Sequence, residues 1–212
     1  MKILNLYAGI GGNRKLWTKE NTGLDLQITA VELDPNIAKI YQDFFPDDNV
    51  IVGDAHQYLL DNFEQYEFIW SSPPCPTHSR AAWWGTYSKS GKMNYRPKYP
   101  DMKLYQEIIL LFYSFKGKFC VENVISYYEP LIKPLLLDRH YFWSNFYIQP
   151  LKLNSKHSEN RSDNNKMSKE LGFDISDYKI KDKQTILRNC VFPELALYIF
   201  NSMNNQELKL NL

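Results

Sequence analysis

The chain has 212 residues, 44% hydrophobic and 23% charged, which suits one main globular α/β domain and leaves room for a second at most. Lys and Arg total 25 against 24 Asp and Glu, so a uniform basic field is excluded and any contact with nucleic acid must come from local patches. Met1 to Leu6 lacks the apolar stretch of a signal peptide, no later run reaches the length of a membrane span, and the scattered Cys75, Cys120 and Cys190 form neither a disulfide framework nor a zinc-type pair; a cytoplasmic, reduced protein without structural metal or membrane contact is expected.

Lys2 to Tyr7 is apolar enough for a buried first strand, broken by Ala8-Gly9-Ile10-Gly11-Gly12 before a predicted helix from Asn13 to about Glu20. Leu26 to Glu32 reads as a second strand, and Asp34-Pro35 starts an amphipathic helix through Phe44. Val50 to Val52 is a short third strand. Phe68-Ile69-Trp70 is a fourth, ended by the prolines of Ser71-Ser72-Pro73-Pro74-Cys75. Asp101 to Phe115 has helical spacing and Lys118 to Val121 makes a fifth strand. This alternation predicts a mostly parallel sheet with helices on both faces, whose ligands bind beyond the carboxyl ends of the strands.

Beyond Glu122 the pattern weakens. Pro130 and Pro134 bracket a short helical piece, and His140 to Ile148 is aromatic-rich and strand-like. Residues 151–184 are rich in Asn, Ser, Lys and Asp and are expected to bury little, as a partly mobile insertion. Apolar character returns from Thr185 to about Met203, where a closing helix fits. The expected organisation is a catalytic domain over 1–150, the polar insertion over 151–184 and a segment over 185–212 that packs back on the first.

Five features carry chemistry. The glycine turn lets backbone approach a ligand lying across the strand end, or is merely a tight turn; its spacing is not that of a nicotinamide site. Glu32, at the end of strand two, suits the ribose hydroxyls of an adenosine cofactor, or is a solvated charge. Asp54 suits an adenine amine or a helix N-cap equally. Cys75 is mounted on two prolines at the mouth of the same crevice; alone it would be packing, but a nucleophile there needs a pKa lowered by nearby donors. Glu122 emerges from strand five at that crevice, where a carboxyl can engage the ring nitrogen and amine of cytosine, or it is a surface charge.

Taken in order, Tyr7-Ala8-Gly9-Ile10-Gly11-Gly12, Glu32, Asp54, Pro73-Pro74-Cys75, Glu122-Asn123-Val124 and Arg188-Asn189-Cys190-Val191-Phe192-Pro193-Glu194-Leu195 resemble the DNA cytosine-5 methyltransferase family over most of the chain outside 151–184. The resemblance implies a Rossmann-like S-adenosylmethionine-dependent methyltransferase fold. It implies that Tyr7, Ala8, Gly9, Ile10, Gly11 and Gly12 line the methionine and adenosine, that Glu32 holds the ribose, that Leu33, Asp54 and Ala55 frame the adenine, and that Asn189, Cys190 and Val191 close the pocket. Cys75 is then the nucleophile toward carbon 6 of a flipped cytosine, Glu122 the residue that engages the base, and Arg139 a third catalytic residue.

Two departures from the family stand out. Its Arg-x-Arg is represented by Arg139-His140-Tyr141, and 151–184 is too small and polar for a separate recognition domain. The loop after Cys75 offers Arg80, Lys89, Lys92, Arg96 and Lys98 with Trp83 and Trp84 interleaved, a composition that grips phosphates and stacks on unpaired bases, or else packs on its own domain. DNA is the expected substrate, as for a modification enzyme of a bacterium, phage or mobile element. The open alternatives are RNA, since one family branch modifies tRNA, and a split enzyme whose partner chain or second copy supplies recognition.

Overall fold

The structure is a computed structural model that describes residues 1–80, 99–150 and 163–204. Its frame is a seven-stranded sheet in the order β3-β2-β1-β4-β5-β7-β6. The strands are β1 (Lys2–Leu6), β2 (Gln27–Glu32), β3 (Asn49–Val52), β4 (Phe68–Ser71), β5 (Lys118–Val124), β6 (Leu135–Leu137) and β7 (His140–Ser144). The first five run parallel, and β7 and β6 close one edge antiparallel. The chain therefore winds outward from β1 to β3 and returns to β4 on the other side of β1. That reversal opens a crevice beyond Leu6 and Ser71, the position at which such sheets bind ligands.

Alternation along the strands feeds two apolar layers. Ile3, Phe68, Trp70 and Cys120 face one layer with Leu195, Ala196, Ile199 and Phe200 of the helix Pro193–Asn201. Leu4, Leu6, Ile69, Phe119 and Val121 face the other, against the helices Ala55–Asn62 and Lys103–Ser114. Pro35–Phe44 is helical as its Asp34-Pro35 start predicts, with the Asp34 side chain accepting from the Asn36 amide. Among the described residues no helix is long and apolar enough to cross a membrane.

Three expectations are corrected. Residues 12–16 form turns, and only Lys19–Thr22 is helical. Arg14 leaves the helical path to bind Asp48 through two nitrogens at 2.8 and 3.0 Å, while Trp17 is buried against Phe68 and Phe200. The stretch between Pro130 and Pro134 is bent chain, pinned where the Trp143 indole donates to the Ile132 carbonyl at 2.8 Å. The described part of the polar segment is not loose. Its helix Asn164–Leu171 places Met167 and Leu171, with Phe173 and Ile175 beyond, in a satellite core around Ile10, Ile40, Leu187 and Cys190.

Candidate active site

One cavity of about 520 Å³ lies at the switch between β1 and β4. Tyr7, Ala8, Gly9, Ile10, Gly12, Glu32, Leu33, Asp54, Ala55, Cys75, Glu122, Asn189, Cys190 and Val191 all line it, so residues spread over the sequence meet at one place.

The glycine turn forms its floor. Gly9 has φ 55° and open space where a side chain would begin, so its backbone is bare to the cavity. Gly12 is present for a different reason: a Cβ there would stand 2.7 Å from Cys190 Cβ and 2.8 Å from the Val191 carbonyl. The 189–191 segment thus crosses directly over the turn and walls the pocket. Gly11 does not line the cavity. It sits at φ 88° beneath the Phe45 and Tyr41 rings, so it serves the turn and its packing and has no ligand surface.

Glu32 is held by two backbone amides, Gly9 to Oε2 at 2.9 Å and Asp34 to Oε1 at 3.0 Å. A carboxylate has further lone pairs on each oxygen, so the anchored group can still accept from a vicinal diol. Leu33, 70% exposed, presents an apolar surface beside it that suits the flat face of a purine. Asp54 caps the Ala55–Asn62 helix, accepting from the His56 and Gln57 amides, and these bonds hold its carboxyl below the usual range. Both the cap and the cavity positions expected of Asp54 are realised. Bare backbone, an anchored carboxylate and an apolar shelf in sequence fit an adenosine-bearing cofactor.

Under this floor lies a network with no counterpart in the sequence reading. Glu107 is fully buried and accepts from the Tyr7 hydroxyl at 2.6 Å and the Ser71 hydroxyl at 2.6 Å, with His56 Nδ1 at 2.9 Å. It ties β1, β4 and two helices together at the switch point. Tyr7 carries φ 55°, uncommon for a side chain of that size, and its hydroxyl is anchored there. Burial and Glu107 push that phenol far above its ordinary range.

The thiol of Cys75 stands half-buried on a stiff mount. Asn123 donates to the Pro73 carbonyl at 2.9 Å, and the Cys75 carbonyl accepts from the His78 and Ser79 amides at 2.9 and 3.0 Å. His78 is in turn held through Nδ1 by the Tyr128 hydroxyl at 2.5 Å. Burial raises the Cys75 pKa and the nearby Glu122 raises it further, the reverse of the expected lowering. Glu122 is itself 7% exposed, and burial pushes its carboxyl up, against opposing contributions from His140 and a hydrogen bond to Ser72. A thiol and a carboxyl that both favour their protonated forms therefore face the same space.

Arg139 does not join them. It sits half-buried in the two-residue turn between β6 and β7, where Asp138 takes φ 51°, and it does not line the cavity. The hairpin is so short that the first strand residue facing the crevice is His140. Arg80 is exposed and outside the cavity, and Trp83, Trp84, Lys89, Lys92, Arg96 and Lys98 lie outside the described residues.

Residues 1–125 match the family model of C-5 cytosine-specific DNA methylase. A tRNA (cytosine(38)-C(5))-methyltransferase of Spodoptera frugiperda is 33% identical over 82 residues, which span 37% of this chain and 24% of that protein. The chain thus matches about a quarter of that relative's length. Among solved structures, a mutant of Spodoptera frugiperda DNMT2 shares 28% identity over 58% of this chain and 35% of its own, with a TM-score of 0.37. The methyltransferase EhMeth of Entamoeba histolytica shares 17% over 58% and 38%, with a TM-score of 0.35.

Proposed function

The chain belongs to the C-5 cytosine-specific DNA methylase family, and from that premise we propose that it methylates carbon 5 of cytosine in DNA through a covalent adduct on Cys75. The observation that carries this reading is the convergence of Cys75 and Glu122 on the cavity formed by the glycine turn and Glu32.

S-adenosylmethionine is the cofactor, and it supplies the electrophilic methyl group that carbon 5 receives. Gly9 and Ile10 would take the methionine and sugar across the strand end, Glu32 the ribose hydroxyls, and Leu33 with Asp54 and Ala55 the adenine. Asn189, Cys190 and Val191, which line the same cavity, would close over it.

The target base must leave its stack to enter a cavity at a strand end. Glu122, held toward its protonated form by burial, donates its proton to N3 and accepts from the exocyclic amine. Positive charge on the ring makes carbon 6 electrophilic. The Cys75 thiol gives up its proton to solvent, and its sulfur forms the C–S bond at carbon 6 as the 5,6 double-bond electrons shift to make carbon 5 nucleophilic. After methylation, the carbon 5 proton passes to water as the double bond is restored and the thiolate is expelled, and N3 returns its proton to Glu122. A positively charged ring beside Cys75 favours the thiolate over the thiol, so the nucleophile forms when substrate is present.

A second reading replaces DNA by tRNA. It is favoured by the similarity to the Spodoptera frugiperda tRNA (cytosine(38)-C(5))-methyltransferase. It is also favoured by the described part of 163–184, which packs on its own domain and offers no free recognition body. Methyl transfer measured side by side on duplex DNA, single-stranded DNA and tRNA separates the two: transfer to duplex DNA is expected, and transfer to tRNA alone overturns the DNA substrate. If transfer needs an added partner chain, recognition is supplied in trans.

A further inference from the structure

The antiparallel pairing of β5 with β7 sets Glu122 opposite Phe142 and Val124 opposite His140. Cross-strand partners share a face, so His140 lies diagonal to Glu122 on the same side of the sheet. It is 9% exposed and lines the cavity. Its Nε2 is 3.7 Å from Glu122 Oε1, too far for a hydrogen bond. Among the described residues its buried Nδ1 has no hydrogen-bond partner.

The unpartnered nitrogen decides the tautomer. A buried N–H without an acceptor is rarer than a bare acceptor, which assigns the ring proton to Nε2. The imidazole therefore presents an N–H donor to the cavity, beside the carboxyl proposed to hold the base.

Cytosine's pairing edge runs donor, acceptor, acceptor: amine, N3, O2. A protonated carboxyl matches the first two through its carbonyl oxygen and its O–H. O2 then needs a donor to one side of that carboxyl, since an acceptor left unmet in a closed site is costly. A gap of 3.7 Å leaves Glu122 and His140 free to contact neighbouring atoms of one ring edge instead of each other. Resting on the cytosine reading above, we propose that His140 is a catalytic residue that binds the target base, its Nε2–H donating to O2. That bond draws electron density from the ring and so assists attack at carbon 6.

The test uses random-sequence oligonucleotides carrying cytosine or 2-thiocytosine, in whichever nucleic acid the wild-type chain methylates, with kcat/KM measured for wild type, His140→Met and His140→Gln. Sulfur is the weaker acceptor. Wild type should prefer cytosine by about 10- to 100-fold, the worth of one such bond in a closed site. His140→Met, which fills the space without a donor, should bring the preference to within about 3-fold by losing activity on cytosine alone. His140→Gln, which keeps an N–H at similar reach, should retain most of the preference. Unchanged cofactor affinity shows that each variant is folded; if His140→Met fails that check, loss or retention of the preference in His140→Gln decides. A Met variant that keeps the wild-type preference, or loses equally on both substrates, overturns the role of His140 alone. A wild-type chain inactive on cytosine in both DNA and tRNA overturns the methyltransferase reading and this inference with it.

Discussion

Asn123 Nδ2 donates to the Pro73 carbonyl at 2.9 Å, a side chain at the end of β5 gripping the loop that carries Cys75. Asn123 is 2% exposed and its own Oδ1 accepts from the Val124 amide, so both ends of the amide are committed. Replacing it by Ala leaves a buried carbonyl unpaired, at a cost of about 1–3 kcal/mol. Because the lost bond also sets the thiol's position, kcat should fall by about 100-fold with cofactor affinity nearly unchanged. Thermal unfolding, calorimetry and single-turnover methylation check the three effects separately.

Gly12→Ala tests the closing wall of the cofactor site. The new Cβ would press into Cys190 Cβ and the Val191 carbonyl, which is backbone and cannot swing aside. Overpacking of this kind costs about 1–3 kcal/mol. Displacement of 189–191 should weaken S-adenosylmethionine binding by at least about 10-fold. Calorimetric titration reads it, and wild-type affinity in the variant would show that the segment does not close the pocket.

Glu122 and Cys75 make a coupled pH prediction. Burial raises the folded carboxyl's pKa above the ordinary Glu value, so the folded state holds this proton more tightly than the unfolded chain. The stability it contributes is present below the ordinary value and is lost as pH rises through the raised one. Glu122→Gln removes that loss, so the variant's melting temperature should gain on wild type as pH climbs from 4 to 8. The same substitution removes the charge that lifts the thiol. Alkylation of wild-type Cys75 should keep accelerating beyond pH 9, with the whole profile moving to lower pH in Glu122→Gln. An unmoved profile would show that the two groups do not interact.

Cys120 separates structural from chemical sulfur. It is fully buried on β5 in the apolar layer, and burial pushes its thiol well above the ordinary value. Cys120→Ala should cost about 1–2 kcal/mol of stability. Its activity per folded molecule should stay at the wild-type level, as measured by methyl transfer corrected for the unfolded fraction.

Much of the site is legible in sequence because each part sits where a strand stops. Gly9 follows β1, Glu32 ends β2, Cys75 follows β4, and Glu122 lies near the end of β5; parallel strands bring such ends to one edge. What escapes a sequence reading depends on distant partners. Arg14 breaks the predicted helix for a carboxylate 34 residues away. Glu107 looks like any charge on an amphipathic helix until Tyr7, Ser71 and His56 close on it. His140 reaches the crevice only through the β5–β7 register, which local pattern does not encode, while the motif drew attention to Arg139 one position earlier. The polar segment misleads by average composition, since Met167, Leu171, Phe173 and Ile175 are few but gather on one surface.

The central claim is that Cys75 attacks carbon 6 of cytosine, and 5-fluorocytosine reports this directly, because fluorine at carbon 5 cannot leave as a proton and the adduct is trapped. The protein should be incubated with S-adenosylmethionine and 5-fluorocytosine DNA or tRNA, digested and analysed by mass spectrometry. A methylated fluoropyrimidine is expected on the peptide containing Cys75, absent from Cys75→Ala. An adduct that persists in Cys75→Ala, or that maps to Cys190, would contradict it.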